Sequence, residues 1–293
     1  MTATTPSPGS GEGRNGGHRP LTARSVVAST LLGTDPPRLP VAFLVRTGVL
    51  FGLAEGTVRT ALSRMVAAGE ATSDGDGSYS LTGELAERQA RQRRSRSAAT
   101  VEWSGRWRMA VVAGGARPAA ERADLRRAMV RLRMAELRDG VWLRPDNLDR
   151  TDPTWRSDVV DRQCQWFLAD PQLTLDRGDA DLAAGLWDLS GWAARADELR
   201  REMHESVVRL EDGDTDALAP GFVLSAAVLR HFVADPLLPR ELLPRRWPGD
   251  ALRADYDRYD AAYRGVLGRW YEVGRDGAVR DDDTATVGRR ERS

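Results

Sequence analysis

Between Ala54 and Ala68 the sequence sets Gly56, Thr57, Arg59, Thr60, Ser63 and Arg64 on one side of a helical period and Val58, Ala61, Leu62, Met65 and Val66 on the other. The first side is small, hydroxylated and cationic. A guanidinium offers parallel N–H donors that match guanine O6 and N7 or two phosphate oxygens, which makes Arg59 and Arg64 candidates for base or phosphate contact in duplex DNA. Thr57, Thr60 and Ser63 can add single hydrogen bonds to the same targets. Taken alone, such a face is more simply the solvated side of a bundle helix, so its context must decide.

That context is a set of short elements able to hold the helix by its apolar side. Thr22–Gly33 carries Val26, Val27, Thr30 and Leu31 at helical spacing, with Gly33 as a stop. Pro40 suits the first turn of a second helix, with Phe43, Leu44 and Val45 apolar and an end near Gly48. Leu50–Leu53 is the turn into the third. After Gly69 a short strand (Glu70–Ser73), the turn Asp74-Gly75-Asp76-Gly77 and a second strand (Ser78–Leu81) predict a hairpin. Three helices and a hairpin read as a winged helix-turn-helix over residues 20–83, and that reading favours DNA for the basic face.

Residues 84–102 are an Arg-rich connector, helical or loose, with Arg88, Arg91, Arg93, Arg94 and Arg96 and no acid between the first and last of these. A solvated charge run and a line of phosphate contacts are equally good readings of it. All nine tryptophans lie beyond it, so a domain boundary belongs there. Residues 103–183 alternate as a strand from Arg106 to Ala113, then predict a helix from Glu121 to Met134 with Leu125, Ala128, Met129 and Leu132 inward. A hairpin at Asp139-Gly140, a strand at Val141–Leu143 and another at Gln165–Leu168 complete a small α+β sandwich. Residues 184–273 are helical, with predicted helices from Trp187 to Val208, Phe222 to Val233 and Ala251 to Tyr271 around a proline-punctuated loop at 235–248. Residues 1–19 and 274–293 lack core-forming patterns and are expected to be disordered tails. The fold class is therefore a multidomain α+β one.

At 293 residues the chain has room for two or three such units. Its formal charge is zero, yet residues 1–100 hold 12 basic against 8 acidic side chains, so the front end is the basic end. Cys164 is the only cysteine, which rules out an internal disulfide, suits a reducing cytoplasm and fits a core thiol. No apolar run approaches the roughly 20 residues of a membrane span and no signal-like segment follows the start, so a soluble, unprocessed protein is expected. Catalytic chemistry finds little to use. His18, His204 and His231 lie in separate segments without metal-ligand spacing, and no nucleophile elbow or Gly-rich phosphate loop is present. Gly114-Gly115 reads as a turn, and Asp179 and Asp181 as solvated loop carboxylates. Neither a cofactor nor a metal is expected.

With these blocks laid out, the chain resembles the PaaX-type repressors of phenylacetate degradation over most of residues 21–272. The turn Phe51-Gly52-Leu53, the stretch Val58–Met65 and Tyr79–Thr82 resemble that family's turn, recognition helix and wing end. Trp103–Trp107 resembles the entry to its middle domain and Trp187–Leu189 the start of its C-terminal domain. The most distinctive C-terminal block is Asp235–Pro239 with Leu242–Pro244 and Trp247–Gly249. The resemblance implies a homodimeric repressor with a ferredoxin-like middle domain, released from its operator by an aryl-CoA thioester such as phenylacetyl-CoA or a related acyl-CoA. The middle domain is similar in fold to a small nuclease of CRISPR adaptation, but residues 106–113 contain no Asp to hold a metal, so nuclease activity is not expected. Two positions depart from the family. Ala54 replaces a helix-capping Ser, a change worth about 1 kcal/mol, and Asp74 and Asp76 make the hairpin tip acidic, which should weaken a phosphate contact there.

The leading expectation is thus a small-molecule-responsive DNA-binding regulator, with Thr57, Arg59, Thr60, Ser63 and Arg64 as the DNA-contacting residues and no assignable effector residues. A constitutive dimeric DNA-binding protein without an effector is the alternative. An enzyme of CoA-ester metabolism comes third, because no catalytic constellation accompanies it.

Overall fold

The computed structural model describes residues 21–115, 117–169 and 178–290, and their side chains save those of 154 and 274–290. Residues 1–19, expected to be a disordered tail and holding His18, lie outside these, as do 291–293. Helix α1 (Ala23–Leu32) begins where the Thr22 hydroxyl accepts the Ser25 amide (3.2 Å) and ends at Gly33. Helix α2 (Val41–Val49) and helix α3 (Glu55–Ala67) follow, joined by a turn in which Gly52 takes a φ of 67°. Val27, Leu31, Leu44, Val58, Leu62 and Met65 form their shared core. Val66, expected on that apolar side, is exposed at 39% and Ala61 is half-buried, because both lie at the margins of the narrow stripe defined by Val58, Leu62 and Met65.

Pro40 is not in the first turn of α2. It ends a three-residue strand β1 (Arg38–Pro40) and serves as the residue before the helix, with φ −60° and ψ 144°. The reason is its missing N–H, which an edge strand tolerates. Strand β3 (Ser78–Leu81) lies between β1 and β2 (Ala71–Ser73), antiparallel to both. Helix α4 (Gly83–Ser97) occupies most of the Arg-rich connector and buries Gln89, Gln92 and Ser95.

Strand β4 (Trp107–Val112), helix α5 (Ala119–Arg131), strands β5 (Ala135–Arg138) and β6 (Val141–Pro145), helix α6 (Asp158–Gln163) and strand β7 (Cys164–Ala169) follow in order. The sheet order is β5-β6-β4-β7, with every neighbouring pair antiparallel. One face packs on the helices through Ala110, Leu125, Ala128, Met129 and Val160. The other joins Trp107 and Leu143 to Leu189, Leu238 and Leu242 of the C-terminal segment. Asp179 and Asp181 are not in a loop. They open helix α7 (Asp179–Leu186), where carboxylates favour the positive end of the helix dipole, and Asp179 accepts the Trp107 indole N–H at 3.0 Å. The domain division expected between 183 and 184 therefore falls inside a helix.

The C-terminal part is helix α8 (Leu189–Glu211), capped by Asp188, then α9 (Leu218–Ala234) and α10 (Gly249–Arg290). Helix α9 starts four residues ahead of Phe222 because Pro220 fits a first turn, where no N–H is required. The 20-residue stretch Thr215–Ala234 contains an 18-residue window of mean hydropathy 1.6, so the expectation that no apolar run approaches membrane-spanning length is incorrect. Here that stretch supplies Val228, Leu229 and Phe232 to a core shared with α8 and α10. Residues 274–290, expected to be a disordered tail, continue α10.

Candidate nucleic-acid interface

Thr57, Arg59, Thr60, Ser63 and Arg64 are all exposed along α3, while Val58, Leu62 and Met65 on its opposite side are fully buried. The helix is held close to α2, where a Cβ added at Gly48 would stand 2.6 Å from Val58 Cγ2. Its start is loosely fixed, because Ala54 offers no side-chain acceptor to the first amides, and only Glu55 supplies an acid in that turn. Arg59 donates from Nε to Glu55 Oε1 at 2.6 Å, an exposed pair one turn apart. The Thr60 hydroxyl donates to Gly56 O at 2.7 Å and keeps its lone pairs outward. Among the described residues Arg64 has no side-chain partner, so its five donors are available.

Three of the five candidates, Thr57, Thr60 and Arg64, line one groove of about 600 Å³ together with Thr22, Ala23 and Arg24 at the start of α1. Arg59 and Ser63 lie outside it, farther around the same helix. Pattern-reading of α3 alone misses Thr22 and Arg24; the signal available was the Thr22 cap that opens α1. Arg24 donates from Nε to Glu70 Oε2 at 2.9 Å, a hydrogen bond that holds the Glu70 carboxyl below its ordinary range.

The acidic hairpin tip is more nearly balanced than its composition implies. Arg38 of β1 donates to Asp74 (2.6 Å) and to Asp76 (2.7 Å), while both carboxylates also accept the Ser78 amide. Hydrogen bonding with Asp74 and with Ser78 holds Asp76 down to about 2, so Asp76 stays ionised at neutral pH.

Three of the connector arginines are drawn into ion pairs with distant parts of the chain. Arg93 pairs with Asp35 (3.1 Å), Arg94 with Asp152, and Arg96 with Asp257 (2.7 Å) and Asp260 (3.0 Å) of α10, so α4 works as a brace between the units. Arg88 is exposed and has no such partner among the described residues. Among the described residues Asp235 is the one buried carboxylate, and its charge acts on the guanidiniums of Arg253 and Arg133. It accepts Arg253 Nη2 at 2.8 Å and the Leu237 amide at 2.9 Å, where Leu237 takes a φ of 50°. Burial pushes Arg133 down to about 10 and Arg144 to about 9, with Asp235 opposing the shift at Arg133. Burial also pushes the Cys164 thiol up, which suits an inert core group. Among the described residues no three His, Cys, Asp or Glu side chains gather as metal ligands.

With this geometry in place, comparison with known families is specific in all three parts of the chain. Residues 22–85 match the model of the PaaX-like protein, 100–175 that of the PaaX protein central Cas2-like domain, and 187–270 that of the PaaX-like protein C-terminal domain. The chain belongs to the PaaX family. The family is one of DNA-binding transcription regulators of phenylacetic acid catabolism. A solved structure of the uncharacterized protein Rv0674 from Mycobacterium tuberculosis shares 40% sequence identity, with 85% of this chain and 98% of that chain covered and a TM-score of 0.65. No curated protein matches the chain. The first PaaX match contains all five α3 candidates, and the gap before the second holds the ion-paired part of α4.

Proposed function

We propose that this PaaX-family regulator is a repressor that grips duplex operator DNA through residues 20–83, acting as a winged helix-turn-helix with α3 in the major groove. Arg59 reads a base, Arg64 holds a phosphate, and Thr57, Thr60 and Ser63 fix the register. One observation carries the reading: α3 buries a narrow apolar stripe and leaves every one of these five side chains in solvent. Two copies would set their α3 helices on half-sites about 34–36 Å apart, or a multiple of that. The strand–helix–strand–strand–helix–strand order of the middle sheet supports a ferredoxin-like domain. Strand β7 lies at the edge of that sheet with Phe167 and Leu168 about half exposed, which supports pairing with a second copy. Release by an aryl-CoA or related acyl-CoA, such as phenylacetyl-CoA, requires that the effector bind the DNA-free arrangement more tightly. The protein acts in the cytoplasm and is not an enzyme.

Footprinting on the DNA upstream of the protein's own coding sequence, with and without phenylacetyl-CoA, tests this reading. A protected near-palindrome that is lost with the thioester is the expected result. Arg59→Ala should bind but discriminate less between operator and scrambled sequence. Protection unaltered in Arg59→Ala and Arg64→Ala alike would reject the assigned roles.

A further inference from the structure

The DNA-reading unit and the C-terminal helices do not meet flush. Between α1 and α2 on one side and α9 and α10 on the other lies a cavity of about 300 Å³. Its walls are chiefly apolar, from Leu39, Phe43, Phe222, Leu229 and Leu267. The Thr30 and Thr47 hydroxyls also border it, but each donates to its own helix, to Val26 O (2.8 Å) and Phe43 O (2.9 Å), and so presents only acceptor lone pairs. Asp260 and Arg264 stand at its rim. Arg264 donates from Nε to Asp260 (3.1 Å) and from Nη2 to Gly33 O (2.6 Å), which leaves Nη1 available to an oxygen inside the cavity.

The same walls carry the contacts that seat the DNA-reading unit. Phe43 packs on Tyr271 with ring centroids 4.9 Å apart, Arg46 lies 4.4 Å from the Trp270 ring and donates to Trp270 O, and Arg264 reaches the end of α1 at Gly33. A ligand that moves Phe43 or draws Arg264 away from Gly33 therefore shifts α2. Helix α2 has no slack against α3, because Gly48 and Val58 are already in closest contact.

We propose that this cavity is a ligand site for a small arylacyl group, its ring against Phe43, Phe222 and Leu229 and its carbonyl oxygen on Arg264, and that occupancy re-seats α2 and α3. Size limits the occupant. A cavity of about 150 Å³ accommodates benzene, so this one takes a ring with a short acyl chain but not a nucleotide. A CoA moiety attached to such a group stays outside, beyond the Arg264 rim. The regulatory consequence rests on the repressor reading, whereas the binding itself does not.

The test is titration calorimetry of the full chain with S-phenylacetyl-N-acetylcysteamine, a truncated thioester without the nucleotide. Saturable binding is expected, weakened about tenfold or more in Arg264→Met, which loses a charged hydrogen bond, and lost in Ala226→Phe, which fills the cavity. Arg264→Met sits at the exposed rim, so the test survives if Ala226→Phe fails to fold. Absence of binding by the parent chain, or equal binding by both variants, overturns the site. A DNA-release assay separates the two proposals. If phenylacetyl-CoA still frees DNA from folded Ala226→Phe, the cavity proposal falls and the effector reading stands. If the truncated thioester binds in a cavity-dependent way but neither compound alters DNA binding, the site stands and the effector reading falls.

Discussion

Replacing Arg64 by alanine tests the proposed phosphate contact with little else disturbed. The side chain is exposed and has no intramolecular partner among the described residues, so nothing buried is orphaned and stability should stay within about 0.5 kcal/mol of the parent. Alanine also keeps the helix propensity of α3. If Arg64 neutralises a phosphate, the double-logarithmic salt slope should fall in magnitude by about 0.9. Across a fourfold rise in salt, from about 50 to 200 mM, that difference amounts to about 3.5-fold, so the defect relative to the parent shrinks by that factor as salt rises. The loss should be the same for operator and unrelated duplexes, because a phosphate carries no sequence. Fluorescence anisotropy at four salt concentrations on both duplexes reads all of this. Parallel salt plots for parent and variant would refute the assignment, and so would a loss confined to the operator.

Four further perturbations follow from the packing. Gly48→Ala places a methyl 2.6 Å from Val58 Cγ2 and should cost about 1–3 kcal/mol in overpacking, partly offset by helix propensity; a rise in thermal midpoint would contradict it. Asp235→Asn keeps the hydrogen bond to Leu237 but removes the carboxylate paired with Arg253 and acting on buried Arg133, so a loss of about 3–5 kcal/mol is expected in denaturant titration. Burial, with the ring stacked on Trp192, lowers the pKa of His231 below its ordinary value of 6.5. The unfolded chain then binds the extra proton more readily, so this contribution is fully present above about pH 6.5 and is lost as pH falls through the folded-state value. His231→Gln should flatten that part of the stability profile, and an unchanged profile would count against it. Phe167→Asp on the β7 edge should shift a dimer toward monomer in sedimentation, leaving the thermal midpoint of the isolated chain nearly the same.

Much of the candidate interface was legible in the sequence because a helix with one buried stripe repeats with a fixed period, and Val58, Leu62 and Met65 obey it. Strand β1 was not legible. Three residues carry no period, and Pro40 satisfies a strand end and a helix entry equally well. The groove beside α3 was also hidden, since Thr22 and Arg24 lie more than 30 residues from Thr57 and meet it only when α1 packs on α3. The connector shows the same limit in another form. Its arginines look alike in sequence, yet Asp35, Asp152, Asp257 and Asp260 divide them among separate ion pairs.

What the sequence by itself determined is local: that helices occupy the places of α1, α2 and α3, which side of α3 is cationic, and that the basic end of the chain is its first hundred residues. These depend on neighbours a few positions apart, whose spacing sets their direction whatever the rest of the chain does. Only the tertiary structure decided how the units are joined, with α4 as a brace, Asp235 beside Arg253 and Arg133, and a cavity left between α2 and the C-terminal helices. Those features need groups from 18 to 231 positions apart to arrive at one place, and burial then sets their charge balance and the space between them.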